Sequence, residues 1–172
     1  MVKPKITLSE LFELYANLPK DTPFIVGIRG YYLNSMGAKG KNDFGIYDDA
    51  ILFFDGTTLH AFNGNTDPSK YGIGHACIKA GIIPYYRGKH RGKYDALRPF
   101  PEGVKIPCTR DGKDSVAIAT NIHKGGEKST GSEGCQTLPP SQWTEFILSV
   151  YDTMSRLKMH TINYYLYEAK SA

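Results

Sequence analysis

Cysteine is scarce in this chain: three residues in 172, Cys77, Cys108 and Cys135. An odd number excludes a fully paired disulfide framework, and the lack of any C-x-x-C spacing argues against a cysteine-rich zinc site. Long apolar runs are lacking too. A run such as Ala50-Ile51-Leu52-Phe53-Phe54 falls far short of the roughly 20 residues that a membrane-crossing helix requires, so no membrane span is expected. Met1 to Glu10 holds no hydrophobic leader core, and no signal peptide is visible. The expectation is a chain made in the cytoplasm that stays there or leaves by another route. No dense Lys/Arg stretch with interleaved aromatics occurs, which sets nucleic acid aside as a partner. His60, His75 and His160 share no ligand spacing, so no metal is expected.

What is present is an ordinary globular composition, 41% hydrophobic and 22% charged, with a mild net charge of +4. A length of 172 residues favours one domain over the whole chain, 1–172. Twelve tyrosines, 18 glycines and 10 prolines favour strands and turns over a helical bundle. Leu8, Leu11, Phe12, Leu14 and Tyr15 mark one face of a short helix over 7–17, with Thr7 or Ser9 as its cap. Strands are expected at 24–32 and 81–86. Asp55-Gly56 predicts a hairpin joining 50–54 to 57–62, because this dipeptide favours the primed turns that hairpins need. A second hairpin is read from 104–109 and 115–123. Trp143, Phe146, Ile147, Val150, Tyr151, Met154 and Leu157 recur at helical spacing and predict a long helix over 141–159, with Pro139 and Pro140 at its start. A strand over 161–167 closes the chain. The fold class read from this order is α+β.

Chemistry concentrates between Asn121 and Thr137. His123 stands at the end of a predicted strand, and Cys135 follows 12 positions later behind a Gly/Ser/Lys loop. Such a loop can fold back and bring imidazole to thiol. An adjacent imidazole is expected to lower the thiol pKa and stabilise the thiolate, the nucleophilic form. Gly134, without a Cβ, can turn sharply and let substrate approach, and the N–H groups of Gly134 and Cys135 are candidates for an oxyanion site. Ser132 is read as orienting either His123 or the loop. Cys77 and Cys108 have apolar neighbours and are read as buried and inert.

The pattern His123, then a loop through Gly131, then Ser132-Glu133-Gly134-Cys135 resembles the L,D-transpeptidase catalytic-domain family. The match covers chiefly 115–137. The resemblance implies a strand-rich mixed β-sandwich, Cys135 as acylated nucleophile, His123 as base, and Ser132 and Gly134 as loop partners. It also implies that the partner is a peptidoglycan stem peptide, that a thioester is resolved by an amine or by water, and that no cofactor takes part. The place of action would be the periplasm or cell wall, as for a phage lysin or a secreted antibacterial effector. The family continues after its cysteine with an aliphatic residue and an arginine, where this chain has Gln136 and Thr137.

The aromatic and basic cluster from Tyr85 to Arg91 is read as a cleft wall for substrate carboxylates. Tyr86 and His90 are its named contacts, and Arg98 stands in for the missing family arginine. Asn121 lies two positions before His123 and would share its strand face. Trp143 is assigned to helix core, and Asp43 and Asp67 to turn capping. The rival reading is a non-catalytic module that binds cell wall or a protein.

Overall fold

The computed structural model describes residues 1–170. Helix α1 (Leu8–Leu14) starts where expected: Thr7 accepts from the Glu10 N–H, and the Glu10 side chain accepts from the Thr7 N–H in return. This reciprocal pairing satisfies two donors that a helix start otherwise leaves open. Strand β1 (Phe24–Arg29) follows, buried at every residue. Then come β2 (Asp49–Phe54) and β3 (Leu59–Gly64), joined by the Asp55-Gly56 turn. There the Asp55 carboxylate accepts from the Thr57 and Thr58 N–H groups at 2.8 Å each. The remaining strands are β4 (Cys77–Ile78), β5 (Gly81–His90), β6 (Tyr94–Pro99), β7 (Ile106–Arg110), β8 (Lys113–Ala117), β9 (Ile122–Lys124) and β10 (Gln136–Leu138). Helix α2 (Pro140–Arg156) opens behind Pro139, and β11 (Thr161–Glu168) comes last.

Eight strands form one sheet in the order β10-β9-β6-β5-β11-β1-β2-β3, and β4-β7-β8 form a second. The sheet curls. Asn65, just past edge strand β3, pairs with Thr137 in the opposite edge strand β10, exchanging N–H···O bonds of 2.8 and 2.9 Å. One apolar cluster lies under α2. It unites Trp143, Phe146 and Val150 with Tyr85, Leu97 and Tyr164 of the large sheet and Ile106 and Cys108 of the small one. A second cluster, around Leu11, Phe24, Leu52 and Phe54, lies under α1. Each fully buried Phe or Ile contributes roughly 1.5–3 kcal/mol by leaving water.

Two expectations change, for residues 115–123 and for Asp67. Residues 115–123 are two strands in two sheets: β8 ends at Ala117 and β9 starts at Ile122, with Ala119 between them at φ +54. Strand β11 forms where the closing strand was expected. It lies mid-sheet, parallel to β1 and antiparallel to β5. Asp67 is no turn cap but a buried ion-pair partner of Arg29, with Arg29 Nε 3.0 Å from Asp67 Oδ1.

Arg29 also reaches Glu168 Oε1 at 2.9 Å and the Thr66 carbonyl at 2.8 Å. Beside it the fully buried Asp49 accepts from the Gly30 N–H and from the N–H and hydroxyl of Thr66. Burial and the Asp67 charge push the Asp49 carboxyl up, and burial pushes Asp48 up to about 6. Arg29→Met would leave buried carboxylates without their counter-charge. We expect it to cost about 3–5 kcal/mol at pH 7 in urea denaturation. Both raised carboxyls take up protons before an unfolded chain does, whose Asp pKa is about 3.9. Folding therefore gains from them as pH falls from 7 towards 5, and without the Arg29 charge the Asp49 carboxyl is pushed up further, so the variant gains more and the deficit should shrink at pH 5. An equal deficit at both pH values would refute the electrostatic account.

Candidate active site

Cys135 and His123 line the same open cavity, of about 780 Å³. Its walls come from both sheets. The β5–β6 hairpin supplies Lys89, His90, Arg91 and Arg98, and the strand break supplies Ala119 to Asn121. The segment 69–76 and Arg110 complete it with the loop 129–135. The volume falls in the range of small-molecule and peptide pockets.

The cysteine loop is pinned to segment 69–76. Ser69 N–H donates to the Ser132 carbonyl at 2.7 Å, and Ala76 N–H to the Glu133 carbonyl at 3.0 Å. Ser69 Oγ accepts from the Ser132 N–H and from the Thr130 hydroxyl. Gly134 is required here: its φ is +151, and a Cβ would sit 2.9 Å from the Ala76 carbonyl oxygen. Ser132 orients the loop and not His123. Its hydroxyl donates to the Cys135 carbonyl at 2.6 Å and accepts from the Gly134 N–H at 3.0 Å. The Gly134 N–H is therefore occupied, and the expected pair of oxyanion donors reduces to one. The Cys135 N–H makes no hydrogen bond among the described residues.

His123 is buried, in the middle of β9. Its Nδ1 lies 2.8 Å from the Lys124 carbonyl oxygen and 3.1 Å from the Tyr94 hydroxyl. A carbonyl only accepts, so Nδ1 carries the proton and Nε2 is left as the basic nitrogen. The Tyr94 hydroxyl donates to the same carbonyl at 3.2 Å. The His90 ring stacks on His123 with centroids 3.9 Å apart and an 18° tilt. Asn121 supports His90 and not His123: its amide donates to His90 Nδ1 at 3.1 Å.

Electrostatics differ from the expected thiolate–imidazolium pair. Burial pushes the Cys135 thiol up to about 11, opposed by the Asn121 N–H and the Arg91 charge. Burial and the neighbouring His90 push His123 down to about 4. At neutral pH the resting pair is a neutral thiol and a neutral imidazole. The Cys135 sulfur is half-buried, 3.8 Å from the Ala119 carbonyl oxygen.

Of the other expected contacts, His90, Arg98, Asn121 and Gly131 line the cavity and Tyr86 does not. Tyr86 sits on β5 edge-to-face with Phe100, outside the cleft. Arg98 is engaged by Glu102 at 2.9 Å. Trp143 belongs to the core, as expected. Cys108 is fully buried, whereas Cys77 is half-buried and donates to Asp67 at 3.1 Å. Lys70, His75 and Arg110 were not legible as site residues, since only the contact between loop and small sheet brings them to the cleft. The contact of Tyr94 with His123 follows from the β5–β6 register. No protein-family model, curated protein or solved structure matches this chain.

Proposed function

We propose that this protein is a cysteine-dependent enzyme of the L,D-transpeptidase type that acts on peptidoglycan stem peptides. The observation that carries the reading is the shared cavity: a half-buried thiol and a histidine whose Nδ1–H is held by a backbone carbonyl, which reserves Nε2 for a proton. As the sulfur attacks the peptide carbonyl carbon, Nε2 takes the thiol proton. The Cys135 N–H is the donor available to the developing oxyanion. The imidazolium returns its proton to the departing amine, and the C–N bond breaks to leave a thioester on Cys135. An amine or water then attacks the thioester and releases the thiol. No cofactor is required for these steps. The action belongs at the cell wall, in the manner of a lysin or a secreted antibacterial effector.

Purified peptidoglycan incubated with the protein and quenched in acid tests this. We expect altered muropeptides and, by mass spectrometry, a stem-peptide acyl mass on the Cys135 peptide. Unchanged muropeptides with no adduct would leave the protein as a non-catalytic module that binds cell wall or a protein.

A further inference from the structure

Charge in the cleft is one-sided. Its lining residues include five fixed cations, Lys70, Lys89, Arg91, Arg98 and Arg110, against one acid, Glu133. Three of the cations are engaged: Lys89 by Asp95 at 2.9 Å, Arg98 by Glu102 at 2.9 Å, and Arg110 by the Gly74 carbonyl. Lys70 and Arg91 make no ion pair or side-chain hydrogen bond among the described residues, and both are exposed. They arise from different parts of the chain. Arg91 occupies the β5–β6 turn at φ +49, and Lys70 lies on the segment that clamps the cysteine loop. Arg91 is near enough to the chemistry for its charge to act on both Cys135 and His123.

Two unengaged cations on separate loops of one cavity suit a ligand with two separated anionic groups. A guanidinium or ammonium bound to a carboxylate forms the stronger, charge-assisted kind of hydrogen bond. An amide in the same place offers only a neutral acceptor and adds an N–H that a cation cannot accept.

We propose that the cleft selects stem peptides bearing at least two free side-chain or α-carboxylates, one held by Arg91 and the other by Lys70, and discriminates against their amidated forms. This rests on the function proposed above and adds to it the charge state of the substrate. It also moves the anchoring role from Arg98, which Glu102 already engages, to Arg91.

The test uses the Cys135→Ala protein, full length, in titration calorimetry. Two synthetic tetrapeptides serve as probes, L-Ala–γ-D-Glu–diaminopimelate–D-Ala with its carboxyls free, and the same peptide amidated on the glutamate α-carboxyl and the diaminopimelate side-chain carboxyl. About a tenfold change per charge-assisted bond is expected, so the free peptide should bind about 100-fold tighter at low salt. Arg91→Gln and Lys70→Gln should each narrow that gap by about tenfold, and 0.5 M salt should narrow it further. Equal affinity for the two peptides, or a gap that neither variant changes, would overturn the proposal. Turnover by the unsubstituted protein separates the two levels. Equal cleavage of both peptides sinks the carboxylate selection alone, whereas neither binding nor turnover of either peptide sinks the enzymatic reading with it.

Discussion

Cys135→Ala should lower the rate of stem-peptide turnover by about 10⁴-fold or more, and His123→Ala should lower it nearly as far. The double variant should be little slower than either single one. In the proposed mechanism the two side chains act in one proton transfer, and once either is gone the other has nothing left to do. Cys135→Ala should fold normally, because its sulfur makes only weak polar contacts, with the Ala119 carbonyl at 3.8 Å and the Asn121 N–H. His123→Ala removes a buried ring that stacks on His90, so its near-ultraviolet circular dichroism and urea midpoint must be measured beside its activity. A folded Cys135→Ala protein that still turns over stem peptide would end the assignment. Additive losses in the double variant would show that the two residues do not share a step.

The second large effect concerns pH. A thiol raised to about 11 is almost wholly protonated at pH 7. Alkylation by iodoacetamide requires the thiolate. Labelling of Cys135 should therefore climb about tenfold per pH unit from pH 7 to pH 10, roughly 1,000-fold in all. An imidazolium-paired thiolate would behave differently, reacting fast at pH 7 with a flat profile above it. Peptide mass spectrometry must follow Cys135 itself, since Cys77, raised by burial to about 12, and the fully buried Cys108 also carry thiols. Enzymatic turnover has its own limit at the acid end. With His123 lowered to about 4, Nε2 stays able to accept a proton until the pH approaches 4. Activity should persist at pH 5, where a histidine near the ordinary 6.5 would already be protonated. A flat labelling profile would rule out the neutral resting thiol, and an acid limb near pH 6.5 would rule out the lowering of His123.

The neutral pair explains why the sequence misleads on this point. A histidine and a cysteine 12 positions apart announce a partnership, and the glycine before the cysteine announces a tight turn. Both readings concern local chain geometry. The protonation state depends on burial. His123 is buried under the His90 ring, and His90 arrives from a strand some 30 residues upstream through the β5–β6–β9 pairing. Helix α2 and the β2–β3 hairpin were legible for the opposite reason: periodicity and an Asp-Gly turn are local signals. The break at Ile118–Asn121 was not, because the alternation of side chains runs through it. Only the choice between two sheets reveals it.

Gln136 and Thr137 can be placed on the same grounds. Where the resembled family carries an aliphatic residue and an arginine, Gln136 turns inward and accepts from the Tyr164 hydroxyl at 2.8 Å, and Thr137 exchanges backbone bonds with Asn65. Gln136 is committed to the core and the Thr137 backbone to joining the sheet edges. A cation for substrate has to come from elsewhere, and the β5–β6 turn supplies one in Arg91. Neither contact can be read from the five residues around Cys135.

The mid-sheet position of β11 carries a consequence for how the protein comes into being. Cys135 and His123 leave the ribosome well ahead of residues 161–168, yet β5 and β1 have no common neighbour until that last segment slides between them. Pairings such as Phe24 with Asn163 span almost the entire chain, and non-local closure of this kind is slow. The groove therefore cannot take its final shape until residues 161–168 have been made and inserted between β1 and β5, and until then Cys135 sits in an unformed site.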